Sequence, residues 1–175
     1  RGHLPGRDAA CVAINRSAGA VLLGKTVSTE FGHKTPGKTR NPFNLAHTPG
    51  GSSSGSAAAV GDKMIPFAYG TQTTGSVIRP AAFCGTIGYK PTYGDINNSG
   101  VMGNTPTIDT LGMMVRTVED LPLLRAVLLE QKPVALAPPG ISDLAIGVYR
   151  TPFWDQAEPY MQRYMEAAVT KLAAM

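Results

Sequence analysis

The segment PGGSSSGSAAAV, residues 49–60, consists almost wholly of glycine, serine and alanine, which leaves it few structures to adopt. Its glycines and serines predict a turn followed by a helix N-terminus, since a serine oxygen can accept hydrogen bonds from the first N–H groups of a helix. The alanines that follow predict a helix that packs tightly against its neighbours.

A second loop of similar composition follows after one predicted strand. The strand is MIPFAYG (residues 64–70), the loop is TQTTGS (71–76), and a short helix is expected at RPAAFCG (79–85). Gly-Ser runs are often flexible linkers, but a linker is rarely followed directly by a helix. Each loop alone is equally consistent with a structural turn and with a nest of N–H groups that binds phosphate.

The rest of the pattern predicts α/β architecture. A helix that starts at Asp8 and ends at Gly19 leads into the apolar run AVLL, which is typical of a buried strand. Another strand is expected at LAIGVYR (144–150), and a helix is expected in VEDLPLLRAVLL after a break at Pro122. The proline-rich segment 131–140 predicts a linker, and a last helix is expected beyond it.

The composition indicates an inner part of a larger protein. Charged residues make up 16% of the chain, against about 25% in typical soluble proteins. The 20 glycines and 14 prolines account for 34 of the 175 residues. Such a chain consists mostly of interior and loops, and its length suits one domain.

Several functional classes are excluded by the distribution of charge, cysteine and histidine. The net charge of +4 is scattered, which argues against direct nucleic-acid binding. Cys11 and Cys84 lie far apart, and His3, His33 and His47 are isolated, so we predict no metal site and no cofactor. The absence of a long apolar run or a signal peptide predicts a cytoplasmic protein that does not enter the membrane.

The stretch GAVLLGKT fits the spacing of a phosphate-binding P-loop but not its structural context. In a P-loop the four middle residues form a loop whose N–H groups surround phosphate, whereas here they are Ala-Val-Leu-Leu. The sequence after Lys25 also does not favour a helix. We therefore do not predict a nucleotide site at Lys25.

Taken together, the two serine loops and their flanks resemble the amidase signature family. The flanking segments are AGAVLLGKTVSTEFG and TRNPFNLAHTPGG before the loops, and GYKPTYG and DTLGMMVRTVEDL after them. The resemblance implies a mixed β-sheet core flanked by helices on both faces. It also implies that residues 1–175 are the central part of a single amidase domain, truncated at both ends.

The resemblance implies a Ser-Ser-Lys device for amide hydrolysis. Ser76 takes the place of the acylated nucleophile, and Ser52 that of the bridging serine which relays protons to a lysine. The Gly51–Ser52 peptide bond is expected to be cis, with the Ser52 hydroxyl within hydrogen-bond reach of Ser76. In the family the lysine belongs to an earlier segment, Gly-Ile-Pro with a following Lys-Asp, which does not occur here, so Lys25 is expected to have a structural role.

Further residues around the second loop have roles implied by the same resemblance. Backbone N–H groups of Thr73, Thr74, Gly75 and Ser76 are expected to form the oxyanion hole. Arg79 is a candidate for binding a substrate carboxylate, with a structural role in holding the loop as the alternative.

Three more side chains complete the expected site. Ser53 is a second candidate for substrate binding. Gln72, where many relatives carry Asp, and Asp109 are expected to fix the loops by hydrogen bonds.

The sequence therefore predicts an amidohydrolase that cleaves a small-molecule carboxylic amide to an acid and ammonia or an amine. One alternative is the A-type subunit of a tRNA-dependent amidotransferase, which the glutamine at position 72 weakens. The other is a non-catalytic remnant that keeps the amidase fold. Homo-oligomerisation of the full-length protein is a further expectation.

Overall fold

The computed structural model describes residues 5–135, 137 and 139–175. The chain divides into two compact units, Arg1–Leu136 and Ala137–Met175. Among the described residues, the first unit contains four α-helices and three strands: α1 Ala10–Ser17, α2 Ser54–Gly61, β1 Phe67–Gln72, α3 Ile78–Phe83, β2 Ile87–Tyr89, β3 Thr110–Val115 and α4 Asp120–Leu128. The second contains one long helix, α5 Pro159–Ala173.

The three strands form an antiparallel sheet in the order β1-β3-β2. In the register, Phe67 pairs with Val115 and Gln72 pairs with Thr110, while Ile87 pairs with Val115 from the other side. Every residue of β3 is buried, because this central strand is covered on both faces. Its sequence TLGMMV is accordingly apolar without the alternation expected of a strand with one wet face.

Successive side chains of β3 enter two different hydrophobic clusters. Met114 packs with the small residues of α2 and α3, whereas Met113 and Val115 pack with α1 and α4. Side chains of a strand alternate between faces, so the helices lie on both sides of the sheet. The predicted α/β fold with helices on both faces is confirmed, and the sheet of the described residues is antiparallel.

The small residues of α2 allow main chain to approach the helix closely. A Cβ placed on Gly55 would lie 2.5 Å from the Val27 nitrogen and 2.8 Å from the Val27 oxygen. On the strand side, a Cβ on Gly70 of β1 would overlap the Ser53 side chain. The tight packing predicted for this helix is therefore confirmed on two sides.

Two predicted strands are wrong. The run AVLL lies in an irregular segment in which Val21, Leu22 and Leu23 are exposed, and residues 144–150 are irregular and exposed as well. Apolar runs form strands only where a partner supplies N–H and C=O groups. Within the described residues, the sheet pairs β1, β2 and β3 with one another and includes neither run.

The helix predicted after Pro122 begins earlier than expected. α4 starts at Asp120 and includes Pro122 in its first turn, where a proline removes no intrahelical hydrogen bond.

In the second unit, Arg150 donates to both carboxylate oxygens of Glu166 at 2.8 Å. None of the helices in the described residues is long and apolar enough to cross a membrane.

The domain boundaries inferred from the sequence stay predictions. The division between the two compact units falls inside segment 131–140. Two residues of that predicted linker, Leu136 and Pro138, lie outside the described residues.

The close contact between α2 and residue 27 predicts a destabilising effect of Gly55→Ala. The added methyl group would meet backbone atoms of Val27, which cannot move aside as a flexible side chain can. We expect a loss of about 2–3 kcal/mol in the free energy of unfolding, as for other overpacked sites. Urea denaturation measures this loss. Gly24→Ala is the matched control, because nothing lies within 4 Å of its Cβ position, and an equal loss in both variants would contradict the packing argument.

Candidate active site

The two serine loops meet at their main chains. The Ser53 N–H donates to the Ser76 carbonyl at 3.2 Å. Ser52 and Ser76 are both buried. The Gly51–Ser52 peptide bond is cis, as predicted.

The predicted contact between the two serine hydroxyls is not formed as a hydrogen bond in the described part of the chain, where the Ser53–Ser76 main-chain bond links the loops instead. Next to this bond, the Ser52 carbonyl accepts the Ser54 N–H at 2.8 Å and the Thr29 N–H at 3.0 Å. The Ser52 carbonyl is therefore fixed both by the start of α2 and by the segment at residue 29.

Arg79 joins the start of α3 to the first loop. Its Nε and Nη2 donate to the Gly51 carbonyl at 3.1 Å and 2.9 Å. The guanidinium thus holds the carbonyl of the cis peptide, which supports the loop-holding role weighed for this residue. Its use for a substrate carboxylate stays a prediction.

Four N–H groups in succession remain unused in the second loop. Within residues 5–135, the backbone N–H groups of Thr73, Thr74, Gly75 and Ser76 donate to no protein acceptor. The next two N–H groups, of Val77 and Ile78, do have an acceptor. A row of free N–H groups beside a serine is the arrangement that stabilises an oxyanion without a charged side chain.

Gln72 fixes the C-terminal end of this loop, which is called the far end below. Its side-chain oxygen accepts the N–H groups of Val77 at 2.7 Å and Ile78 at 2.9 Å. Gln72 is buried, so these bonds are shielded from water. The predicted loop-fixing role of Gln72 is confirmed, and an uncharged amide performs it here.

Asp109 fixes the N-terminal end of the same loop, at Thr73, which is called the near end below. One carboxylate oxygen accepts the Thr73 hydroxyl, and the other accepts the N–H groups of Asn104 and, at 2.7 Å, Thr105. Burial favours a higher pKa for this carboxyl, but the hydrogen bonds from Thr73, Thr105 and Asn104 outweigh it and hold the pKa below its usual value. The predicted loop-fixing role of Asp109 is confirmed, and the residue is an anion at neutral pH.

Sequence reasoning missed a set of hydroxyl groups that fasten the segment before the first loop. Thr26 Oγ1 lies 2.7 Å from Ser56 Oγ, and Ser56 Oγ donates to the Tyr69 carbonyl at 2.7 Å. Because Ser56 has one hydroxyl proton, Thr26 must be the donor to Ser56. Thr29 Oγ1 donates to the His33 carbonyl at 2.7 Å. The run of Thr and Ser in KTVSTEF is the signal that could have indicated these contacts.

The sequence model of the Amidase family matches residues 1–175. The chain belongs to the Amidase family. It is 44% identical over 131 residues to the A-type subunit of glutamyl-tRNA(Gln) amidotransferase from Desulforapulum autotrophicum, and the match covers 71% of this chain and 27% of that protein.

Solved structures of other amidases are similar to the chain. The A-type subunit of glutamyl-tRNA(Gln) amidotransferase from Thermotoga maritima matches with a TM-score of 0.66 and 40% identity, covering 70% of this chain and 28% of that one. 6-Aminohexanoate cyclic dimer hydrolase matches with a TM-score of 0.68 and 34% identity, covering 90% and 34%. The curated relatives are longer, since the chain spans from 27% to 39% of their length.

Lys25 of this amidase lines a surface cavity. The cavity runs along α2 past Gly55, Ala58 and Asp62, and neither Ser52 nor Ser76 lines it. The structural role expected for Lys25 stays a prediction. Among the described residues, no group of three or more His, Cys, Asp and Glu side chains is placed to hold a metal ion.

The lowered pKa of Asp109 predicts part of the acid sensitivity of this amidase. A carboxyl with a folded-state pKa below its unfolded value of about 3.9 stabilises the fold above that value, and the contribution is lost as pH falls through the folded-state pKa. We expect Asp109→Asn to flatten the fall in unfolding free energy below about pH 4. Denaturation at a series of pH values tests this, with the exposed Asp62→Asn as control; an unchanged slope in Asp109→Asn would refute it.

Proposed function

We propose that the intact protein is an amidohydrolase that cleaves a carboxylic amide to an acid and ammonia or an amine, with Ser76 as nucleophile. The observation that carries this proposal is the row of four unused N–H groups ending at Ser76, in a chain of the Amidase family. Preorganised donors of this kind contribute to catalysis most where negative charge develops during the reaction.

In the proposed mechanism the Ser76 oxygen attacks the amide carbonyl and forms a new C–O bond. The Ser76 proton passes to Ser52, whose own proton passes to a neutral lysine. The carbonyl oxygen becomes an oxyanion that the N–H groups of Thr73 to Ser76 hold. As the tetrahedral intermediate collapses, the C–N bond breaks and the leaving nitrogen takes a proton back through Ser52. Water then hydrolyses the ester of Ser76 and restores the hydroxyl.

We propose that the lysine of this relay is supplied by a part of the protein outside these 175 residues. The cavity position of Lys25 supports this, because neither Ser52 nor Ser76 lines that cavity. The greater length of the curated relatives is consistent with further segments in the intact protein.

A second candidate function is the A-type subunit of a tRNA-dependent amidotransferase. The curated relatives described above, which carry this name, favour it. Gln72 argues against it, since the uncharged amide takes the place of the Asp expected in many relatives. For the amidohydrolase we expect a small-molecule amide substrate, no direct contact with nucleic acid, and a homo-oligomer of the full-length protein, whereas the amidotransferase subunit would need partner subunits. The two cysteines, Cys11 and Cys84, are buried and free, which supports a cytoplasmic setting.

Covalent labelling of Ser76 tests the nucleophile. A fluorophosphonate is expected to modify the intact protein at Ser76, because the N–H row stabilises the phosphonyl oxygen as it would an oxyanion. Mass spectrometry of the labelled peptide identifies the residue. Labelling that persists unchanged in Ser76→Ala would refute the assignment, and an intact protein that is not labelled at all would favour the non-catalytic alternative.

The relay lysine is tested by comparing two variants of the intact protein in the same assay. Lys25→Ala should keep hydrolysis of propionamide within about twofold of the parent protein, whereas Ser52→Ala should lower it by about 100-fold or more, as removal of a relay member does. Loss of hydrolysis in Lys25→Ala with the fold intact would assign the relay to Lys25.

A further inference from the structure

The row of free N–H groups requires a support, because it lies beyond the last strand pair. The sheet register ends at Gln72 paired with Thr110, so Thr73 to Ser76 have no ladder bonds to fix them. An oxyanion hole works only when its donors are aimed before the charge develops. The side chains that fasten this loop therefore determine how well it can act.

We infer that the Asp109 carboxylate is a positioning residue for the oxyanion loop, acting through the Thr73 hydroxyl. This inference rests on the proposed function. It assigns Asp109 a role in the rate of the reaction beyond its contribution to the fold. Asp109 itself does not touch the reacting atoms.

The two ends of the loop are fixed by different residues. At the far end, Gln72 fixes the N–H groups of Val77 and Ile78, and the Gly75 carbonyl accepts the Arg79 N–H at 2.9 Å. At the near end, the side-chain bond is the one from Thr73 to Asp109. Loss of that bond would leave the first N–H groups of the row free to turn while the far end stays in place.

Asp109 is itself held firmly enough to serve as an anchor. Its N–H donates to the Thr105 carbonyl at 2.9 Å, and its carbonyl accepts the Asn98 side-chain amide at 3.1 Å. The residue also directly precedes β3, the central strand. Asp109 is thus fixed both by the sheet and by the loop at residues 98–105.

A carboxylate suits this position because both of its oxygens are needed as acceptors. One oxygen serves Thr73, and the other serves the N–H groups of Asn104 and Thr105. An asparagine would place an NH₂ group against one of these donors.

The test uses the full-length protein and changes Thr73, which keeps Asp109 in place. Thr73→Val replaces the hydroxyl with a methyl group of similar size, and Thr73→Ser restores the hydroxyl. Thr71→Val is the matched control on β1, two residues earlier. Each variant is measured for kcat and KM with propionamide, for inhibition by phenylboronic acid, which forms a tetrahedral adduct with a nucleophilic serine, and for its thermal unfolding midpoint.

If Asp109 positions the loop, Thr73→Val lowers kcat by about 10–100-fold, the range for a misplaced donor, with KM within about twofold. Its affinity for phenylboronic acid falls by a similar factor. Thr73→Ser and Thr71→Val stay near the parent values. Asp109→Asn, if it folds, lowers kcat in the same way, and the double variant with Thr73→Val adds little further because both changes break one bond.

Three results would overturn the inference while leaving the proposed function intact. The first is a Thr73→Val variant with parental kcat while Ser76→Ala is inactive. The second is a loss of kcat that Thr73→Ser does not restore, and the third is a loss of kcat that follows the thermal midpoint alone. Activity retained in Ser76→Ala would instead refute the proposed function itself, so the two failures are distinguishable.

Discussion

The close approach of main chain to α2 is the constraint on which the site depends. Gly55 admits the backbone of Val27 on one side, and Gly70 admits the Ser53 side chain on the other. Side chains of ordinary size at these places would push the segment at residue 27 or strand β1 away from the helix. The Ser52 loop would then lose the Thr29 N–H that its carbonyl accepts. Small residues are thus required here by distance, and the hydroxyls of Ser54 and Ser56 bond the main chain on either side, at Val27 and Tyr69.

The site is assembled mostly from neutral groups. Asp109 is the buried carboxylate that fixes it, and it accepts hydrogen bonds from three donors. Gln72 provides a second fixed point without charge, and Arg79 holds a backbone carbonyl. The sources of positive potential at this loop are the N–H row and the Arg79 guanidinium, whose Nη1 lies 3.5 Å from the position of a Cβ on Gly75. That suits a reaction in which the negative charge appears on the substrate and then disappears.

The parts of the structure that follow from local chemistry were predictable from the sequence. The helix after the first serine loop and the short helix after the second correspond to local sequence patterns. The cis bond between Gly51 and Ser52 was expected only from the resemblance to the amidase signature family. The AVLL strand was not predictable in the same way, because an apolar run does not reveal whether a pairing partner lies beside it. The bond between Thr73 and Asp109 joins residues 36 positions apart, and no local pattern encodes which donor such a carboxylate meets.

The hydroxyl chain from Thr26 through Ser56 to the Tyr69 carbonyl has a fixed direction. Each hydroxyl has a single proton, so the last acceptor determines the orientation of every donor before it. A change at Thr26 would remove the first member and leave the bond to Tyr69 in place. A change at Ser56 would break both bonds at once and leave a carbonyl of β1 without that donor. The two positions are therefore unequal, because a change at Ser56 breaks two bonds whereas a change at Thr26 breaks one.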